Sequence, residues 1–220
     1  MALPTIADRV AHMKQENVRA TLIAEGIEAG DLKQLAQMLH PFGHGELPDL
    51  DFDRKNSLAQ LAEAAAKDPV EIYVDRLIAS EGREYFNMWM FGGNLENQWN
   101  YMRLPHVVPM LGDAGAHVGF FTDTDSPTVL LSELTRERGV YTLEEAIHRI
   151  TGKSAEIIGL KERGNLKEGW HADINVIDYD NLSTHHAEYV NDFPHGGGRF
   201  TVKSTGYDAT IVAGQVVVRN

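Results

Sequence analysis

The chain begins with apolar side chains at helical spacing. Ala7, Val10 and Met13 fall on one face of a helix, and the pattern predicts helices through most of the first 40 residues. The segment from His40 to Asp53 is rich in Gly, Pro and Asp. Such clusters break regular structure, so this segment is predicted to be a loop.

Two helices with strong start signals follow the predicted loop. Ser57 is placed to cap a helix that runs to Lys67. Asp68-Pro69 then combines a capping carboxylate with a proline at the first helical position. Both helices have apolar residues on one side, so they are predicted to pack on a shared core.

The middle of the chain alternates between strand-like and helical patterns. Residues 84–91 and 107–111 have the composition of buried strands, and residues 95–104 and 128–138 are predicted helices. The sequence TLEE, which starts at Thr142, predicts a further helix with a capping box. This alternation favours parallel strands covered by helices, and therefore an α/β fold.

From residue 164 onward the pattern changes to short β-rich runs separated by turns. Ala213-Gly214 has the composition of a hairpin turn. We therefore predict two parts: residues 1–163, an α/β and helical body, and residues 164–220, a β-rich tail.

The strongest candidate for chemistry lies in HVVPMLGDAGAHVGFFTDTDSP, residues 106–127. A predicted buried strand ends there at Gly112, followed by Asp113 and small residues. In parallel α/β folds the active site lies at the carboxyl ends of strands, where a carboxylate can bind a metal or accept a proton. An Asx-turn stabilising a tight loop is the alternative. Asp123 and Asp125 in the same stretch are candidates for a second ligand or for a helix cap.

Several segments resemble one family. LGDAGAHV resembles the eighth-strand segment of N-acyl-D-amino-acid deacylases (D-aminoacylases) in the amidohydrolase superfamily. SAEIIGLKERGNLKEGWHADINVID is similar to the closing segment of that superfamily, and DATIVAGQVVV resembles its last hairpin. The resemblance covers most of the chain.

The resemblance implies a TIM-like barrel beside a small β-sandwich, and hydrolysis of an amide by metal-activated water, usually with zinc. It implies that Asp113 is a metal ligand and general base, and that His117 lines the substrate pocket or orients the loop. The expected substrate is a small N-acyl amino acid. Asp173, in the closing segment, is expected to be a structural carboxylate bonded to backbone.

The chain also departs from that family. No His-x-His pair occurs in it, and a complete barrel needs about 250 residues. We therefore expect a C-terminal fragment that holds about two barrel strands and the β-rich tail, and that is inactive by itself. Uncovered barrel faces and strand edges predict self-association into a homo-oligomer.

Five further histidines are candidate metal ligands. Pro41 and Gly43 separate His40 and His44 and prevent a paired helical geometry. HGGGR, residues 195–199, suggests an anion-binding loop, but no Gly-x-Ser-x-Gly motif accompanies it, and a link between strands is the preferred interpretation. The roles of these histidines stay open: His40, His44, His185, His186 and His195.

Composition narrows the class of protein. The 220 residues include no cysteine, which excludes disulfides and thiolate metal sites. The net charge of −12 argues against nucleic acid as a partner. No apolar run is long enough for a membrane span, and a cytoplasmic location is expected. The alternatives to the deacylase are a non-catalytic, oligomerising interaction domain and another amidohydrolase that cleaves amides or cyclic amides.

Overall fold

The computed structural model describes residues 5–90, 94–109, 112, 115–119 and 123–220. The chain forms two compact units, Met1–Leu95 and Glu96–Asn220. Both contain helices and short strands, so the predicted mixed α/β class is confirmed. The predicted domain boundary at residue 163 stays a prediction.

The described residues of the first unit form five helices and one pair of strands. The helices pack around α5, and the strands β1 and β2 pair in an antiparallel register with His40 opposite Asn87. The core centres on Ala36, Leu39 and Leu58. The elements are α1 (Ile6–Met13), α2 (Glu16–Ala29), α3 (Asp31–Leu35), β1 (Leu39–Pro41), α4 (Leu58–Ala65), α5 (Pro69–Ala79) and β2 (Phe86–Met88).

The predicted helix starts in this unit are confirmed. Ser57 and Gln60 form a complete capping box at α4. The Asp68 carboxylate accepts a hydrogen bond from the Val70 amide at the start of α5, where Pro69 occupies the first turn. These local contacts satisfy amides that a helix terminus otherwise leaves without partners.

Two expectations for this unit were wrong. Residues 39–41, at the start of the predicted loop, form strand β1. The predicted strand at 84–91 is observed as β2, but it pairs antiparallel with β1 and not in a parallel arrangement. The two short strands bury Leu39 and pack Phe86 against the core, so tertiary packing overrides the turn-forming composition.

The second unit begins with helices and ends with antiparallel strands. Its helical elements are α6 (Leu95–Met102), α7 (Ser126–Val129), a π-helix (Leu130–Glu137), α8 (Leu143–Ile150) and α9 (Gly152–Ile157). Its strands are β3 (Ile174–Ile177), β4 (Ser183–Thr184), β5 (Glu188–Val190), β6 (Arg199–Thr201), β7 (Ser204–Thr205), β8 (Tyr207–Val212) and β9 (Gln215–Arg219).

The described strands of this unit form three small sheets. Strands β3, β8 and β9 pair in that order, β4 pairs with β7, and β5 pairs with β6, all antiparallel. The predicted hairpin turn is confirmed, since Ala213 and Gly214 both have positive φ between β8 and β9. HGGGR lies between β5 and β6, as the preferred interpretation expected.

The predicted strand at 107–111 is not observed in its described part. Residues 107–109 are not assigned to a strand. The Val107 carbonyl accepts a hydrogen bond from the Arg149 side chain instead of from a neighbouring strand. Within the described ranges no helix is long and apolar enough to cross a membrane. The cytoplasmic location stays a prediction.

Candidate functional site

A cavity of about 470 Å³ in the second unit lies beside the segment that carries the candidate chemistry. Gly112 and Asp123 contribute from the LGDAGAHV stretch and its continuation, and the helices supply the opposite wall. The lining residues are Pro109, Gly112, Asp123, Ser126, Pro127, Leu130, Ile150 and Ser154.

Arg149, near the end of α8, holds the segment that leads into this cavity. Its Nη1 donates to the carbonyls of Met102, Leu104 and Val107, at 3.0, 3.1 and 2.6 Å. Its Nη2 donates to the Arg103 carbonyl at 2.8 Å. One planar guanidinium therefore fixes the backbone of residues 102–107, directly before the cavity wall at Pro109.

A glycine is required at position 112, because the backbone there lies directly beside the Asp123 carboxylate. A Cβ added to Gly112 would lie 2.3 Å from Asp123 Oδ2 and 2.6 Å from its Cγ. Real Cβ atoms do not come this close, so any side chain at position 112 would displace the carboxylate or the loop. The glycine thus lets the backbone pass directly beside an acidic group.

A polar cluster near the cavity joins the start of α7 to the strands. The Asp125 carboxylate accepts a hydrogen bond from the Thr184 hydroxyl, and does not cap the helix with its side chain. Thr128 bonds to the Ser204 hydroxyl and to the Tyr207 hydroxyl. Burial raises the pKa of Asp125, the Thr184 bond opposes that rise, and the charge of Asp123 adds to it.

Of the two predicted catalytic residues, the structure describes His117 and not Asp113. Asp113 lies outside the described residues. His117 is exposed, in a turn whose Val118 carbonyl accepts a hydrogen bond from the Phe200 amide of β6 at 2.7 Å. Asp173 has the structural role expected of it, since it accepts from the Ala213 amide and pairs with Arg163. The catalytic and metal-binding roles of Asp113 and His117 stay predictions.

The described residues do not fit a metal centre. In the part of the chain that the structure describes, no group of three or more His, Asp or Glu side chains could hold an ion. His40 is instead buried against Asp51, and His44 pairs with Glu84. Asp123 and Asp125 are close enough to interact electrostatically, but a structural site needs more ligands than two carboxylates.

Sequence reasoning missed two features of this region. Arg149 belongs to the helix whose start the sequence TLEE predicts. Nothing in the local pattern shows that its side chain donates hydrogen bonds to backbone carbonyls more than 40 residues away. The approach of Gly112 to Asp123 was equally hidden, although a glycine at the end of a predicted strand can indicate a close backbone contact.

The chain matches the amidohydrolase family model over residues 2–218, and it therefore belongs to that family. Among curated relatives, it is 43% identical over 56 residues to an N-acyl-D-aspartate deacylase of Alcaligenes xylosoxydans xylosoxydans. That match covers 26% of this chain and 11% of the relative. It is also 34% identical over 94 residues to a dihydroorotase of Endomicrobium trichonymphae, covering 41% of this chain and 21% of that protein.

Two solved structures resemble parts of the chain. A D-aminoacylase matches 84% of this chain and 35% of its own, at 20% identity and a TM-score of 0.42. An N-acyl-D-glutamate deacylase from Bordetella bronchiseptica, complexed with zinc and a phosphonate inhibitor, matches 96% and 49%, at 21% identity and a TM-score of 0.43. The chain thus spans less than half the length of each of these relatives, and likeness at this level says nothing about the site.

Proposed function

We propose that this chain is part of a hydrolase that cleaves the amide bond of N-acyl-D-amino acids. The observation that carries the proposal is the 43% identity to an N-acyl-D-aspartate deacylase. The family match supports amide hydrolysis as the reaction class. A D-aspartyl or similar acidic D-amino acid is the substrate class that follows from that relative.

We assign the central proton transfer to Asp113. In amide hydrolysis a water oxygen bonds to the carbonyl carbon, the carbon–nitrogen bond breaks, and one water proton moves to the leaving nitrogen. A carboxylate beside the substrate can take that proton and return it. The position of Gly112 in the wall of the 470 Å³ cavity supports this role for its neighbour in sequence. His117 is proposed to orient the loop or line the pocket.

Zinc is the expected metal, and Asp113 the expected ligand, on the strength of the family resemblance. Since the sequence contains no His-x-His pair, we propose that the 220 residues by themselves are inactive. Elemental analysis of the purified chain, without added metal, tests this point. A stoichiometric, chelator-resistant metal ion would contradict it.

The test of the catalytic role is Asp113→Asn, measured as release of D-aspartate from N-acetyl-D-aspartate. In a longer protein that includes this chain, we expect turnover to fall by at least 10²-fold, because proton transfer by a positioned side chain contributes about 10²–10⁴-fold. Asp180→Asn, at an exposed carboxylate, is the matched control. Undiminished turnover in the Asp113 variant would remove this residue from the mechanism.

Hydrolysis of a cyclic amide is the second candidate. The 34% identity to a dihydroorotase favours it, and a second dihydroorotase, from Lactobacillus acidophilus, is 32% identical over 73 residues. Offering dihydroorotate beside N-acetyl-D-aspartate decides between the two substrate classes, with ring opening to the N-carbamoyl amino acid measured for the first and release of D-aspartate for the second. Preference for the cyclic substrate would replace the deacylase proposal.

Self-association is proposed on the evidence of an apolar edge. Val216, Val217 and Val218 of β9 are 49%, 57% and 50% exposed, and β9 is the last strand in the order of its sheet. An exposed apolar edge strand is a template for pairing with another chain. Light scattering should find a homo-oligomer, and a monodisperse monomer would contradict the proposal. If this chain is an oligomer and the longer protein hydrolyses neither substrate, the non-catalytic interaction domain becomes the favoured alternative.

A further inference from the structure

The first unit contains a second cavity, of about 550 Å³. Its described lining residues include none of those proposed to act in amide hydrolysis. The loop between β1 and α4 and the residues after β2 form much of its wall. The lining residues are Gln37, Met38, His40, Arg54, Ser57, Ala59, Gln60, Glu63, Trp89 and Met90.

His40 is held in this wall by a buried carboxylate. The imidazole is 1% exposed, and its Nδ1 lies 2.7 Å from Asp51 Oδ2. Asp51 also accepts the amides of Lys55 and Asn56, at 2.9 and 2.8 Å. Burial alone would raise the pKa of Asp51, but the two amides and the imidazole outweigh it and lower the pKa. The carboxylate is therefore ionised and accepts only, so Nδ1 carries the hydrogen.

The other ring nitrogen of His40, Nε2, does not take part in the hydrogen bond to Asp51. Among the described residues, His40 Nε2 has no hydrogen-bond partner and is shielded from solvent. The same holds for Nε1 of Trp89, which also lines the cavity. A buried polar atom without a hydrogen-bond partner is destabilising and rare in folded proteins, so two of them beside one cavity indicate an occupant.

Arg54 places a positive charge in the wall of the cavity. The guanidinium of Arg54 lies 4.8 Å from the centre of the Trp89 ring. Asp51 stands behind the imidazole as its counter-ion, and Glu63 is the other charged group in the wall, exposed on α4. With one proton added, His40 presents a second N–H, and the Trp89 indole N–H is a donor only. The enclosed position of both nitrogens restricts the ligand to a small one.

The loop that supplies Asp51 and Arg54 is built at a conformational cost. Asp51 has φ of 41° and Arg54 has φ of 53°, in the left-handed region that non-glycine residues avoid. Such residues persist where surrounding contacts fix them, and they concentrate at ligand sites. Here the contacts are those of the Asp51 carboxylate and the Asp51 amide, which donates to Asp49 Oδ1 at 2.8 Å.

We propose that this cavity binds a small carboxylate anion, held by Nε2–H of protonated His40 and Nε1–H of Trp89 beside the positive charge of Arg54. Binding takes up one proton whenever the free imidazole is neutral, and that proton ends on His40 Nε2. All residues of this site lie in the first unit, and none of them is assigned a role in the proposed hydrolase reaction.

The experiment titrates the whole chain with sodium acetate and follows the three tryptophan indole N–H signals by ¹H–¹⁵N NMR. Sodium chloride controls for ionic strength, and acetamide controls for a neutral ligand of the same shape. We expect a saturable shift of the Trp89 signal with acetate alone, while the Trp99 and Trp170 signals stay unchanged. Long-range ¹H–¹⁵N spectra should show His40 protonated on both nitrogens in the complex.

Two pairs of variants locate the site. Trp89→Phe keeps the ring and removes the donor, and we expect acetate affinity to fall about fivefold, as for one lost hydrogen bond of about 1 kcal/mol. Trp170→Phe should leave affinity unchanged. His40→Gln should abolish binding, while His44→Gln, at an exposed histidine in the loop after β1, should not.

Three results would overturn the proposal. The first is no saturable shift with acetate, which would mean that water fills the cavity. The second is equal binding of acetamide, which would make the ligand a neutral one. The third is unchanged acetate affinity in Trp89→Phe. This variant still tests the proposal if His40→Gln fails to fold.

Discussion

Replacing Arg149 should loosen the wall of the candidate active site. In Arg149→Ala the carbonyls of residues 102, 103, 104 and 107 lose all four of their bonds to the guanidinium. The variant also loses the contact of the guanidinium with the Tyr141 ring, at 5.0 Å from its centre. The expected effect is large because one side chain serves an entire backbone segment.

The magnitude follows from the number of bonds and from the environment of the carbonyls. A hydrogen bond to a charged group contributes about 1.5–3 kcal/mol when its partner is buried. The Arg103 and Leu104 carbonyls belong to exposed residues, where water replaces the lost donor. We therefore expect a loss of about 3 kcal/mol for Arg149→Ala, well below the sum of four buried bonds. Arg149→Lys, with a point charge and no planar fork, should lose roughly half as much.

Urea unfolding followed by circular dichroism measures the loss, and amide hydrogen exchange locates it. Protection should fall first in residues 102–109. The matched control is Arg199→Ala, which removes a two-bond ion pair with Asp192 on the surface. An exposed pair of this kind contributes little to stability, because solvent screens it. Equal losses in the two alanine variants would refute the assignment of Arg149 as the organiser of this segment.

Two further predictions concern the second unit. Gly206→Ala should cost more than about 3 kcal/mol in urea unfolding, because its Cβ would meet backbone atoms of residues 178 and 182 at 2.6–2.9 Å. Gly214→Ala, also at positive φ but in open space, should cost only about 1 kcal/mol, and equal costs would contradict the steric argument. Asp125→Asn should raise the melting temperature at pH 7, since the folded pKa of Asp125 lies above its ordinary value of 3.8 and its ionised form is disfavoured by folding. That advantage should shrink as the pH falls through the folded pKa and vanish below about 4; a constant difference across pH would show that ionisation is not its cause.

The sequence by itself determined the family and most local structure of the chain. Helix starts at Ser57, Asp68 and Thr142 were predictable because a capping side chain bonds amides within three residues of itself. The turn at Ala213-Gly214 was predictable for the same reason, since the backbone conformation depends on the turn residues themselves. The motif around Asp113, together with the closing segment and the last hairpin, predicted the amidohydrolase family, and the family match confirms it.

Tertiary structure alone decided the interactions between distant residues. The sequence near His40 indicates a loop, yet packing on the core makes a strand of Leu39–Pro41 and buries the imidazole beside Asp51. The predicted strand at 107–111 is not observed in its described part, where the Val107 carbonyl accepts a hydrogen bond from the Arg149 side chain. These outcomes depend on partners more than ten residues away in sequence. Local periodicity and capping reflect only neighbouring residues, so it is the three-dimensional packing of the chain that determines them.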